Sequence, residues 1–313
     1  MPKIAPSLFV ASLLSFCLHA MPANAQLSRT FVSAASGDDA HNCSQVAPCR
    51  TFQGAHDKTN DQGEVTVLDP GGYGGVTITK SISIVNDGVG EAGIAVAGGA
   101  VGITINGGAG TYVNLRGITI QGIGMGGGTG LVFNSGFSLT MTNCVVRNHT
   151  QDGIDFLSTE TSRFMLSNTL VADNGGSGIV VRPSGGDVRV RAVFDQVQSS
   201  NNSQRGMLFD GNSSTGRILV TVESSVSADN AGIGIDATSS AGQALVRVLV
   251  VRSVSSTNAR GFNADIGGSV IAVGASSVGM NGTAASGAVA SFGDNYSFAN
   301  AVSDAFPLSI STE

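Results

Sequence analysis

An all-β solenoid is the fold class this sequence predicts, and three observations predict it. Asparagines recur at Asn148, Asn174, Asn202, Asn230 and Asn258, spaced 26, 28, 28 and 28 residues apart. Each is followed within three to five residues by glycine and an apolar residue: Gly153-Ile154, Gly178-Ile179, Gly206-Met207, Gly234-Ile235 and Gly261-Phe262. The tenth and eighth residues before four consecutive asparagines are Phe164 and Leu166, Ala192 and Phe194, Val220 and Val222, Val248 and Val250, and Ile271 and Val273 precede Asn281 at the same offsets. A fixed period in this range marks repeats that bury their apolar faces against their neighbours. Alternation with period two marks strands whose named positions face inward. No window of ten or more residues sustains helical periodicity, and no leucine ladder of shorter period appears.

The turn chemistry follows from residue type. Asparagine tolerates the left-handed conformation, so it is expected to form the tight turn between two strands. The glycine after it is expected to let the chain bend into the next strand. Strand, asparagine turn and Gly-apolar strand, repeated every 26 to 28 residues, resemble the right-handed parallel β-helix of the pectate-lyase-like superfamily, over roughly Glu64 to Asn295. The resemblance implies a β-helix with a short N-terminal strand and helix as its cap. It concerns architecture, since one fold hosts many activities.

Residues 1–25 read as a secretory signal: Lys3 is the positive start, Leu8 to Leu18 the apolar core, and Ala23-Asn24-Ala25 the cleavage site. The protein is therefore expected to be secreted, periplasmic or extracellular, with no transmembrane segment after signal cleavage. Cleavage before Gln26 removes one lysine and no acid, leaving 15 basic and 22 acidic residues, with Lys58 and Lys80 the remaining lysines. Such a charge balance disfavours nucleic acid as a partner. Cys43 and Cys49 lie close together in an exported chain, which predicts a disulfide; a metal site there lacks further ligands beyond His41. Cys144 falls four residues before Asn148, in a column with Leu170, Val226 and Val254, and reads as a buried core residue.

Residues 26–63 form the expected cap, 64–295 the β-helix, and 296–313 a C-terminal tail or cap. Strands are expected at Val65–Leu68, Val76–Thr79, Ile82–Val85, Ile94–Val96, Ile103–Ile105, Val113–Leu115 and Ile118–Ile120, with looser spacing than farther on. The run Gly124 to Gly130 lacks the Lys-Ser/Thr ending of a phosphate loop and reads as a turn.

Two places offer chemistry. Asn148-His149-Thr150-Gln151-Asp152-Gly153-Ile154-Asp155 resembles the Asn-Thr-Asp-Gly-Ile-Asp motif of polygalacturonase-like hydrolases, which makes Asp152 and Asp155 the catalytic candidates. The chain departs from that family one rung on, with Gly176-Ser177-Gly178-Ile179 where Gly-Asp-Asp is expected, and then with Gln204-Arg205-Gly206 where His-Gly is expected. The second place is an outward face. Arg163, Arg191 and Arg247 stand eleven residues before their asparagines, and Asp195 and Glu223 seven before theirs. Arginine clamps carboxylates with two hydrogen bonds, so these are the binding candidates. The same residues also read as a plain solvated charge ladder. Histidine chemistry is nearly excluded, because only His41, His56 and His149 survive cleavage, and His149 is expected to face solvent from its turn.

The sequence thus predicts an exported β-helix that binds glycans or presents a surface scaffold, with a polysaccharide or cell-envelope glycan as partner. The alternative is a polysaccharide lyase or glycoside hydrolase with a nonstandard site. No metal or cofactor is expected; calcium enters only with the lyase alternative.

Overall fold

The computed structural model describes residues 27–124 and 126–310, so the signal segment expected at 1–25 lies outside the described residues. Each rung of a right-handed coil contributes one strand to each of three parallel sheets. Among the described residues these have twelve, ten and nine strands, and are called here the first, second and third sheet in the order the chain meets them within a rung. One complete rung runs through Arg217–Glu223, Val226–Ala228 and Ile233–Thr238. The next begins at Leu245–Val251. The one α-helix among the described residues, Phe52–Lys58, closes the N-terminal end, where the Thr51 hydroxyl accepts from the Gly54 N–H. The Cys43–Cys49 disulfide lies in the same cap. No helix of the described residues is long and apolar enough to cross a membrane.

The predicted columns coincide with the strand register. Phe164 stands opposite Ala192, then Val220, Val248 and Ile271; Leu166 stands opposite Phe194, then Val222, Val250 and Val273. Like sits over like because parallel strands stacked about 4.8 Å apart put equivalent side chains in contact. Down the interior runs a file of rings: Phe133 on Phe156 at 4.2 Å, Phe156 on Phe164 at 4.7 Å, Phe164 on Phe194 at 5.2 Å and Phe194 on Phe209 at 5.8 Å.

The asparagines have a different job from the one expected. The left-handed residue of the turn is the one before each asparagine: Asp173 (φ 58°), Asn201 (54°), Asp229 (56°), Thr257 (54°) and Met280 (60°). The asparagine itself is buried, and its amide donates to the next rung: Asn174 to Asn202 at 2.9 Å, Asn202 to Asn230 at 2.9 Å, Asn230 to Asn258 at 3.0 Å, Asn258 to Asn281 at 3.1 Å and Asn281 to Asn300 at 3.0 Å. A planar amide repeated at strand spacing can donate up and accept from below at every step. The glycine that follows is required by this ladder and not by a bend. A Cβ on Gly178 would lie 2.3 Å from Ser199 Oγ and 2.8 Å from Asn202 Nδ2.

Asn148 is one residue out of phase. It holds the left-handed position (φ 60°), and His149 fills the ladder slot, its backbone N–H donating to Asn174 Oδ1 at 3.2 Å. His149 is 2% exposed, which corrects the solvent-facing expectation. The shift also moves Cys144. Leu170 pairs with Val145, while the Cys144 N–H donates to Thr169 Oγ1, so its column holds Thr169 and not Leu170. Cys144 is nevertheless buried and free, and burial pushes its thiol up to about 11.

The expected strands before residue 130 appear as Thr59–Val67, Val76–Ile78, Ile82–Val85, Ala92–Ala95, Ile103–Asn106, Tyr112–Arg116 and Ile118–Gln121. The glycine run is a turn whose carbonyls at Gly127 and Gly128 accept from Thr150 and Gln151. Strand Leu27–Val32 already joins the first sheet, and Leu308–Ser309 is its last member.

Candidate functional site

Two outer faces carry the chemistry-bearing residues, and they belong to different sheets. On the first sheet, alternation turns Arg189, Arg191, Val193 and Asp195 outward from one strand, and Arg217, Leu219, Thr221 and Glu223 from the next. Arg163 stands opposite Arg191, and Arg189 opposite Arg217. Phe137 ends the preceding loop, and the Arg163 guanidinium lies 5.3 Å from its ring centroid. Phe137, Arg163, Arg189, Arg191, Arg217 and Leu219 line a cleft of about 260 Å³ with Thr161 and Ser162 at its edge.

Most of the positive charge in this cleft is unpaired. Arg189 Nη2 meets Asp187 Oδ2 at 2.6 Å, whereas Arg163, Arg191 and Arg217 make no ion pair among the described residues. The hydrogen bond from Arg189 holds the Asp187 carboxyl below its usual range, and Arg217 acts on it through space in the same direction. Free guanidinium forks spaced by one rung suit carboxylates or sulfates repeated along a chain.

The structure divides the predicted binding residues. It brings Arg163 and Arg191 together in the cleft. Arg247 stands two rungs beyond Arg191, held by the Val246 and Gly268 carbonyls at 3.0 and 2.9 Å. Asp195 and Glu223 lie side by side on adjacent strands at the far edge of the sheet, and Glu223 forms an ion pair with Arg252. Arg189, Arg217 and Phe137 were missed. The two arginines carried a signal, since each stands thirteen residues before its asparagine.

The second face is on the third sheet. Asp155 projects from strand Ile154–Phe156 toward Asp152 in the turn before it. Burial pushes the Asp155 carboxyl up to about 7; the Asp152 charge and a hydrogen bond with Asp152 push the same way, and Arg182 opposes them. Asp155 Oδ1 is buried without a hydrogen-bond partner, and Asp152 accepts from the Ser177 N–H of the next turn. A Cβ at Gly176 would lie 2.2 Å from Asp152 Oδ1, so the carboxyl is packed against backbone. On the following rungs of this face the acids are paired: Arg182 Nε to Asp210 Oδ2 at 2.8 Å and Arg205 Nε to Asp236 Oδ2 at 2.6 Å, with Asn263 Nδ2 also donating to Asp236 Oδ1 at 2.8 Å.

Glycosidase carboxyls stand about 5 Å or more apart, across the bond they cleave. Asp152 and Asp155 act on one another within a single turn and strand, and the arginine cleft is on another sheet. Among the described residues no three of His, Cys, Asp and Glu converge, and Glu223 is engaged by Arg252.

The family described as "Right handed beta helix region" matches residues 101–283. Among solved structures, the chain is similar to pectate lyase Pel9A, with 18% identity, a TM-score of 0.63, and coverage of 86% of this chain and 72% of that one. It is also similar to an alginate lyase from Paenibacillus sp. str. FPU-7, with 15% identity, a TM-score of 0.51, and coverage of 88% and 98%. At these identities the likeness is one of fold. No curated protein matches the chain.

Proposed function

Since the chain belongs to the right-handed β-helix family, we propose that it works by presenting a fixed rod face to a ligand, and that the ligand is an acidic polysaccharide held along the first sheet. One observation carries this reading: in a chain of formal net charge −6, Arg163, Arg189, Arg191 and Arg217 converge on a single cleft, and only Arg189 has a carboxylate partner there. Surface cations so gathered repel one another unless an anion joins them. The cleft runs across rungs, so successive arginines meet successive anionic groups of an extended polymer. Phe137 offers the sugar ring an apolar surface beside them. The names of the pectate lyase and the alginate lyase suggest polyuronates as the first ligands to try.

The protein binds in this reading and does not cleave. Asp152 and Asp155 spend their carboxyls on each other and on the next turn, away from the cleft. Export to an oxidising compartment fits the Cys43–Cys49 disulfide.

The test is calorimetric titration of the full chain with polygalacturonate and alginate oligomers against a neutral galactan, at low and high salt. Binding confined to the acidic oligomers and weakened by salt is expected. Equal affinity for the neutral polymer, or none for any, overturns the proposal. An ultraviolet assay for unsaturated uronate, with and without calcium, separates a binder from a lyase.

A further inference from the structure

The first sheet carries opposite charges at the two ends of the same strands. Strand Arg189–Asp195 begins outward with Arg189 and ends with Asp195; strand Arg217–Glu223 begins with Arg217 and ends with Glu223. The two strands are in register, so the arginines form one column and the acids another. Between the columns lies an apolar strip. Met165, Val193, Leu219 and Leu249 are 37–46% exposed there, on four consecutive strands, and share the strip with Arg163, Arg191 and Arg247. Beside them runs a groove of about 450 Å³ lined by Leu219, Leu249, Val270 and Ala272 among others. Among the described residues the Asp195 carboxylate has no hydrogen bond or ion pair, and the Glu223 carboxylate has only the exposed Arg252.

We propose that a second copy of this chain seats on this face, as a two-fold pair whose axis runs parallel to the solenoid. Of the two-folds that run along or across the strands, that one alone brings the outer arginine column onto the acid column. It reverses strand direction and keeps rung order, so Arg189 meets the second copy's Asp195 and Arg217 meets its Glu223. Met165, Val193 and Leu249 then lie over the aliphatic stems of the second copy's Arg163, Arg191 and Arg247, and Leu219 over its Thr221. A two-fold along the strands instead lays arginine column on arginine column, and like charges repel. The contact is isologous: each pairing occurs twice. Four rungs about 4.8 Å apart and seven residues of strand give a footprint of roughly 20 Å by 20 Å. Such a patch is below the size of a standard stable interface, so the pair is a weak and salt-sensitive one.

The pair covers the arginine cleft, so the second copy and an acidic polymer exclude one another. This consequence rests on the reading of the cleft given above; the pairing itself does not.

Sedimentation velocity of the full chain, from about 1 μM to about 200 μM, tests the pairing in the range where so small an interface associates. Wild type is expected to dimerise at the upper end and to dissociate as salt rises. Asp195→Arg with Glu223→Arg, and separately Arg189→Glu with Arg217→Glu, should each be monomeric throughout, with circular dichroism unchanged. Mixed in equal amounts, the two double variants should form a heterodimer, because every clash becomes a match; a misfolded variant cannot be rescued in this way. A monomeric wild type, dimeric double variants, or a mixture that stays monomeric overturns the pairing. Polygalacturonate added to wild-type dimer should disperse it. If the dimer persists at saturating polymer while the mixing rescue succeeds, the competition is overturned and the pairing stands.

Discussion

The outer faces of the first and third sheets are built on the same rungs and use the same residue types, yet they differ in what their charges do. On the third sheet, Arg182, Arg205, Asp210 and Asp236 are paired with one another, and Asp236 is 1% exposed. On the first sheet, Arg163, Arg191 and Arg217 have no carboxylate, and aliphatic side chains lie open between them. A charge already matched inside the fold contributes to stability and offers little to a ligand. A charge left unmatched is a standing cost that a partner can relieve.

The comparison can be broken most sharply at its buried end. Phe194 sets the scale for the core beneath both faces, since its ring touches those of Phe164 and Phe209; Phe194→Ala should cost about 3–5 kcal/mol in urea unfolding. Asp236→Ala removes the buried acceptor of the partly exposed Arg205 and of Asn263, and should cost about 2 kcal/mol by the same measurement. If Asp236→Ala were silent, the third face would be a solvated surface like the first. Asn230→Ala leaves the Asn202 amide and N–H without their acceptor and should cost about 2 kcal/mol.

Asp155 sharpens the comparison through pH. Its folded-state value, about 7, is raised above the ordinary 3.8 of an unfolded aspartate. The folded protein therefore holds a proton that the unfolded chain releases. Stability from this group is complete below about pH 4, falls as pH rises, and is gone above about 7. Asp155→Asn should flatten that decline, so variant and wild type diverge between these limits when unfolding is followed across pH. Parallel curves would mean that the carboxyl is ionised throughout. On the first sheet the same experiments should give the smallest change in stability: Arg191→Ala should alter unfolding by no more than about 0.5 kcal/mol, while weakening polygalacturonate binding about fivefold.

Much of the fold was legible because stacking enforces repetition. Phe164, Ala192 and Val220 must be mutually compatible, so the period is written into the residues, and the columns follow from counting. The count failed where a substitution hid the phase. His149 stands in an asparagine slot while Asn148 occupies the turn before it, and the Cys144 column slipped with them. Two arginines of the cleft were legible by their offset, and Arg189 and Arg217 had an equal signal two residues away. Phe137 had none, because it precedes the rung whose asparagine was misplaced.

By itself the sequence determined the coil: its period and its inward columns, because each rung meets its copy at fixed offsets. Only the tertiary structure decided which charges are spent. Arg205 reaches Asp236 by crossing from one rung's turn onto the next rung's strand, 31 residues away, and no column count joins them. Whether a side chain finds a partner depends on how turns of unequal length fold over a sheet, and that is a matter of distance in space.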